Sequence, residues 1–293
     1  MPARLIVNAD DFGLTPGINR AVAELHSAGA LTSATLMANG PAFDDAVAIA
    51  HAHPTLGVGC HIVLTDGIPL APPEHIPGLL GPDRKSLRPS LVDFIQALLL
   101  GTIKPAEIEL EALFQIHKLQ RAGIRITHLD THKHTHLFPV VARKLAALAE
   151  SNHIPAIRNP FEPGFDLTLN HGGTLRRLAI RTISRLRPRF FSLLKTRNAV
   201  RTTDGTIGIS ATGDLTAPTL SAILHALPAT GTYELCCHPG YNDAHLDLHA
   251  TRLRAHRDVE REALLAEVPK FIQPLTNPNA PSLIHYGDLG PSL

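Results

Sequence analysis

The chain has 293 residues, 44% hydrophobic and 18% charged, with a formal net charge of +1. Those totals describe an ordinary globular protein long enough to bury a large core as one barrel, and they exclude a disordered chain. A charge balance this near neutral, without a basic aromatic motif, excludes general attraction to nucleic acid, and the three cysteines (Cys60, Cys236 and Cys237) make neither a disulfide framework nor a thiolate zinc pattern.

The N-terminus enters a strand without a charged segment and long apolar run, so no signal peptide is visible, and no stretch is apolar enough to span a bilayer. A cytoplasmic protein with reduced thiols is expected.

Arg4–Val7 is a compact β-branched run, followed by Asn8–Gly13 as a polar loop ending in glycine. Thr15 offers an N-cap oxygen and Pro16 a first-turn residue. Ile18, Ala21, Val22 and Leu25 then recur with helical spacing, and Gly29 suits the stop. Ser33–Met37 reads as the next strand and Ala42–His53 as a helix ended by Pro54. Gly57–Leu64 is a third apolar strand carrying His61. From Thr65 to Arg88 proline and glycine are frequent, which predicts a long functional loop. Leu91–Leu100 and Pro105–Ala122 are helical, and Ile124–Ile126 is a short strand after Gly123.

The stretch Thr127–His136 follows, with His128, Asp130, His132, His134 and His136 at alternate positions. Alternate side chains on an extended backbone share a face, but the whole run would span roughly 27 Å, too far for one point. Either the strand ends near Asp130 and the rest curls over its mouth, or only two or three of these groups share a job. A solvated polar loop is the plainer alternative. Imidazole and carboxylate together are ligands for first-row metals, and the run reads as a metal site or part of one.

Pro139–Asn152 is helical, and Ile154–Arg158 is a short strand. A basic segment occupies about 167–203, with Leu175–Leu194 periodic in apolar residues. Its plain reading is a helix with a solvated basic face. Its functional reading is a peripheral membrane contact through 175–194. Thr206–Ser210 and Thr232–Cys236 are strands around a helix at Pro218–Leu227. A charged helix over about Leu248–Glu267 and an apolar run at Ser282–Ile284 complete the pattern. Strands alternating with helices predict an α/β fold: a single-domain, distorted or incomplete (β/α) barrel of about seven units over 1–293. No glycine-rich phosphate loop follows the first strand, which weakens a dinucleotide-binding alternative.

In such a barrel functional groups gather at the C-terminal strand ends. Here these supply Asp10 and Asp11, His61, His128, Asp130 and His132, Arg158 and His238. Taken singly, the two aspartates read equally as a turn and His61 as a core histidine. A carboxylate with two imidazoles leaves open positions on a metal ion, and a second carboxylate and a separate histidine can move protons. That set suits hydrolysis of a stable amide. It suits a glycosidase less, because adjacent Asp10 and Asp11 cannot flank a glycosidic bond.

The motifs Asn8–Gly13, Gly59–Leu64, His128–His136 and Cys237–Pro239 resemble, in order, those of the YdjC-like carbohydrate deacetylases, a family that includes chitooligosaccharide and hopanoid-associated deacetylases. The resemblance implies a distorted barrel that removes acetyl groups from N-acetylated sugars or glycolipids with one divalent metal cation. It implies Asp11, His61 and His132 as metal ligands, Asp10 as general base and His238 as general acid. Arg158 and Asp130 are expected to contact substrate. Thr131-His132-Lys133 stands where the oligosaccharide enzymes carry Ser-His-His, Lys133 resembling the hopanoid branch and Asp130 the sugar branch. Zinc, nickel or iron suits the ligand types, and the family allows magnesium (Mg2+ or Zn2+ are the leading pair). A homodimer and a peripheral contact with the inner membrane complete the expectations. Two other classes stay open: a metal-dependent amidohydrolase on a non-sugar amide, using His132 and His134 as a ligand pair, and a non-catalytic histidine-rich metal-binding protein.

Overall fold

The structure, a computed structural model, describes residues 3–167, 174–195, 200–249, 251–273 and 280–289. Its centre is strand β1, Arg4–Phe12, buried at every position after Arg4. Around it run β2 (Ser33–Leu36), β3 (Gly57–Ile62), β4 (Ile126–Thr131), β5 (Gly205–Ile207), β6 (Thr232–Cys237) and the short β7 (Ser282–Leu283). The order is β4-β3-β2-β1-β6-β5, all pairings are parallel, and β7 pairs with Arg4 and Leu5 ahead of the β2 register. A parallel sheet is covered on both faces, which is why these strands read as apolar runs.

Ten helices are described: α1 (Pro16–Ser27), α2 (Phe43–Ala52), α3 (Leu91–Leu99), α4 (Pro105–Arg121), α5 (Pro139–Ser151), α6 (Gly164–Leu167), α7 (Thr174–Ile183), α8 (Arg187–Lys195), α9 (Ala217–His225) and α10 (Ala255–Phe271). Their starts follow the expected chemistry. Thr15 Oγ1 accepts from the Ile18 amide at 3.2 Å, Ser90 caps α3, and Thr216 caps α9. Gly29 takes φ 70 just past α1. No helix among the described residues is long and apolar enough to cross a membrane.

Three expectations change. The Asn8–Gly13 loop is mostly strand, because β1 continues to Phe12. The Ile154–Arg158 strand reduces to isolated bridges, Leu129 to Ile157 and Ala156 to Arg201. This irregular run still closes the curled sheet between β4 and β5: Arg158 donates its amide to Leu129, and Thr206 donates to Phe161. The last long helix starts at Ala255, after a 3₁₀ turn at Ala244–Leu248.

The basic segment forms α7, a 3₁₀ turn and α8, whose Phe190 and Leu194 are buried in the main core. Ile183, Leu186, Phe191 and Leu193 pack against that core, while Arg181, Arg185 and Arg189 are exposed. Residues 168–173 and 196–199, and the side chains of Arg176, Arg177 and Lys195, lie outside the described residues.

Candidate active site

Adjacent residues on a strand face opposite sides, so Asp10 and Asp11 need a special device to serve one cleft. The device is a β-bulge. Ala9 pairs with Ala34 and Phe12 with Leu36, so β1 takes three steps where β2 takes two, and Asp11 sits there at φ 64. Asp, unlike a β-branched residue, tolerates this left-handed conformation. Asp66, Lys133 and His134, which line the same cleft, also hold positive φ (61, 55 and 52). Such a concentration of disfavoured backbone marks a site whose surroundings enforce its geometry.

Asp11 Oδ1 lies 3.6 Å from His61 Nε2 and 3.4 Å from His132 Nδ1. Its other oxygen accepts from Arg257 at 2.6 Å, which leaves Oδ1 as the inward one. His61 Nδ1 lies 2.9 Å from Asp130 Oδ1. An ionised carboxylate only accepts, so Nδ1 carries the proton there, and Nε2 is the ring nitrogen turned towards Asp11 and His132. Bonds of about 2.0–2.1 Å at tetrahedral angles separate donor atoms by about 3.3 Å, close to the spacing found. The donor set therefore fits a divalent ion. Asp10 with Cys236 and His238, and Asp10 with His61 and Asp130, are two further groups whose ligand atoms lie within 4.8 Å of one another.

Asp10 is gripped from below. Arg158 donates to its Oδ1 at 2.6 Å and to its Oδ2 at 2.9 Å. Asn8 and Thr35 also donate to Oδ1, at 3.0 and 3.2 Å. Oδ2 carries the lighter load: the Cys236 thiol donates at 3.5 Å, and His238 Nε2 lies 3.8 Å away. Arg158 also meets Glu234 at 2.6 Å and Asp130 at 2.5 Å. Glu234 in turn accepts from Thr206 at 3.1 Å and from Tyr286.

These contacts set the charges. Burial alone would raise Asp10, but Arg158, with His61 and His238 behind it, holds its carboxyl well below the usual carboxylate range. Asp11 is likewise lowered against burial by Arg257 and His132. Burial pulls His61 down, yet Asp130, then Asp10 and Asp11, push it up to about 9. Desolvation, with the Arg158 charge behind it, lowers half-buried His134 to about 3 and keeps it neutral.

Above these groups opens a cleft of about 920 Å³. Asp10, Asp11, His61, His132 and His238 line it. Arg158 and Asp130 do not. Both are fully buried beneath its floor, engaged by the carboxylates and imidazole they support, which puts them out of contact with anything in the cleft. The histidine run divides as the first alternative has it. β4 ends at Thr131, and the next residues form a 3₁₀ turn, His132–Leu137, that curls over the strand mouth. His128 instead points into the core, stacked on Tyr286 at 3.8 Å, and buried His136 bonds to Thr131 at 2.6 Å.

Arg257 and Glu234 are the functional residues the sequence reading misses. Arg257 lies 246 positions from Asp11 on a helix whose pattern reads as a charged surface. Glu234 offered one signal, a lone carboxylate inside an apolar strand.

The sequence profile described as YdjC-like protein matches residues 4–272. A carbohydrate deacetylase of Thermoanaerobacter pseudethanolicus is 30% identical over 92% of this chain and 94% of its own length. One from Brevibacillus brevis is 40% identical over 54% of this chain, and the match spans 60% of that relative's length. Among solved structures, an Enterococcus faecalis V583 protein named provisionally for cellobiose-phosphate cleavage superposes with a TM-score of 0.78, at 25% identity, over 99% of this chain and all of its own.

Proposed function

This chain belongs to the YdjC-like family, and from that premise we propose that it is a metal-dependent hydrolase that removes the acetyl group from an N-acetylated amino sugar. The observation that carries the reading is the convergence of Asp11, His61 and His132 on one point, with Asp10 and His238 beside it. The names of the relatives support a carbohydrate as substrate. The cleft suits one, since Leu14, Met37 and Leu253 can meet an acetyl methyl while Asp66, Lys133 and His249 meet hydroxyls.

A divalent ion held by Asp11, His61 and His132, zinc or magnesium, would supply a Lewis acid and lower the pKa of water beside it. Asp130 fixes the His61 tautomer, and Arg257 fixes the oxygen that Asp11 presents. Asp10 takes the proton of the attacking water at Oδ2, the oxygen with fewer donors. Arg158 keeps that carboxylate ionised and aimed. His238, reaching the same oxygen from the cleft side, gives a proton to the departing amine as the C–N bond breaks. The adjacent aspartates thus divide the work: Asp11 binds and Asp10 moves the proton.

The sugar on a lipid carrier is included in the proposal. Exposed Arg181, Arg185 and Arg189 would meet anionic headgroups of the inner membrane from the cytoplasm. Phe190 and Leu194 are spent on the core, so charge rather than insertion carries that contact. Acetate release from N-acetylglucosamine oligomers, compared with simple acetamides, tests the central reading. Release from the oligomers alone is expected; equal release from both would favour a general amidohydrolase.

A further inference from the structure

The buried floor under Asp10 is built around one ion-pair cluster. Arg158 is the guanidinium at its centre, and three carboxylates, Asp10, Asp130 and Glu234, all contact it. Beside them stands a soft ligand that the deacetylase reading leaves unused. Period-two alternation on β6 puts Cys236 on the face of Glu234, towards Asp10, whereas Cys237 faces the other way and donates to the Asn8 carbonyl at 3.2 Å.

The atoms have the spacing of a coordination shell. Cys236 Sγ lies 3.5 Å from Asp10 Oδ2, and His238 Nε2 lies 3.8 Å from the same oxygen. A zinc ion with bonds of about 2.3 Å to sulfur and about 2.0 Å to oxygen would hold those two atoms about 3.5 Å apart. His238 Nδ1 is buried without a hydrogen-bond partner among the described residues, so no hydrogen bond at that atom fixes the ring against a small turn towards the ion. Arg158 occupies one side of Oδ2, and a carboxylate oxygen keeps a second lone pair for a cation.

We propose that Asp10, Cys236 and His238 form a second, inhibitory site for a thiophilic divalent cation such as zinc. Binding forms the Sγ–cation bond and releases the Cys236 thiol proton to solvent, with no change of oxidation state. A hard ion such as magnesium gains nothing from the thiolate and leaves this site open. Occupancy ties up Asp10 Oδ2 and His238 Nε2 together, the two atoms assigned to proton movement. Only this inhibitory consequence rests on the deacetylase reading; the binding itself does not.

The test is a Co2+ titration of the full chain, read by absorption. The Asp11–His61–His132 set contains no sulfur, so the thiolate-to-cobalt charge-transfer band belongs to the second equivalent. Cys236→Ser, which keeps a hydrogen bond to Asp10, should lose that band and bind one ion, whereas Cys237→Ser should keep both. No band in the wild-type chain, or a band retained in Cys236→Ser, overturns the site. In the acetate assay, excess Zn2+ should slow the wild-type protein by about 10²-fold, the lower end of what general acid–base groups contribute. Cys236→Ser should resist. Equal inhibition of both proteins overturns the inhibitory role, while absence of acetate release from any sample refutes the deacetylase reading and leaves the spectroscopic result standing.

Discussion

Arg158 holds Asp10 by both carboxylate oxygens, at 2.6 and 2.9 Å, across 148 positions of sequence. The guanidinium is fully buried and lies under the cleft rather than in it. A planar fork fixes the orientation of a carboxylate in a way that an ammonium cannot.

Arg158→Lys therefore keeps the charge and loses the aim. Turnover on the acetylated oligomer should fall on the order of 10²-fold, the scale of a misplaced catalytic group, with KM nearly unchanged. Steady-state kinetics decide the matter. A raised KM with intact turnover would return Arg158 to the substrate-binding role expected from sequence.

His61 makes the ion-free and ion-loaded proteins respond oppositely to pH. Its folded pKa of about 9 stands above the ordinary 6.5, so the stabilisation it gives the ion-free protein is complete below 6.5 and is lost as pH rises to about 9. Coordination needs the neutral ring, so ion affinity grows across that window. Thermal melts with and without chelator should show Tm falling with pH in the first case and the gap between the two widening. A gap that narrows from pH 6.5 to 9 would contradict this.

Gly59 marks the boundary between site and scaffold. A Cβ there would meet His128 Cε1 at 2.3 Å, and His128 is itself stacked on Tyr286. Gly59→Ala should cost about 1–3 kcal/mol of stability, the range of overpacked cores, without changing the number of ions bound. Denaturant unfolding and metal analysis check the two halves. Loss of the ion in a still-folded variant would bring His128 into the site.

Much of this arrangement is legible in the sequence, and the limits have physical causes. Apolar runs and caps such as Thr15 reveal the strands and helices because they depend on local pattern. The alternate histidines reveal that a site exists but not which ring works. That depends on β4 ending at Thr131 and on the left-handed turn at Lys133 and His134, a choice made by packing. The Asp11 bulge is hidden for the same reason, since a one-residue slip against β2 leaves no mark in the residues themselves. Arg257 and Glu234 act at sequence distances where no spacing rule operates.

The lipid-linked form of the substrate has its own test. Arg181→Glu with Arg185→Glu should abolish binding to anionic vesicles, binding that weakens with added salt in the unaltered protein. Release of acetate from short soluble oligosaccharides should be unaffected. Equal vesicle binding by both proteins, or by neither, would leave α7 and α8 as an ordinary basic face.

The division of labour between the adjacent aspartates is tested most directly by measuring bound ion and acetate release on the same preparation of Asp10→Asn. The amide keeps size and backbone but cannot take a proton from water. The prediction is ion content equal to the unaltered protein, with turnover lower by at least about 10²-fold, while His132→Ala loses both ion and activity. An Asp10→Asn protein emptied of its ion, or one that still releases acetate at the full rate, would contradict the assignment.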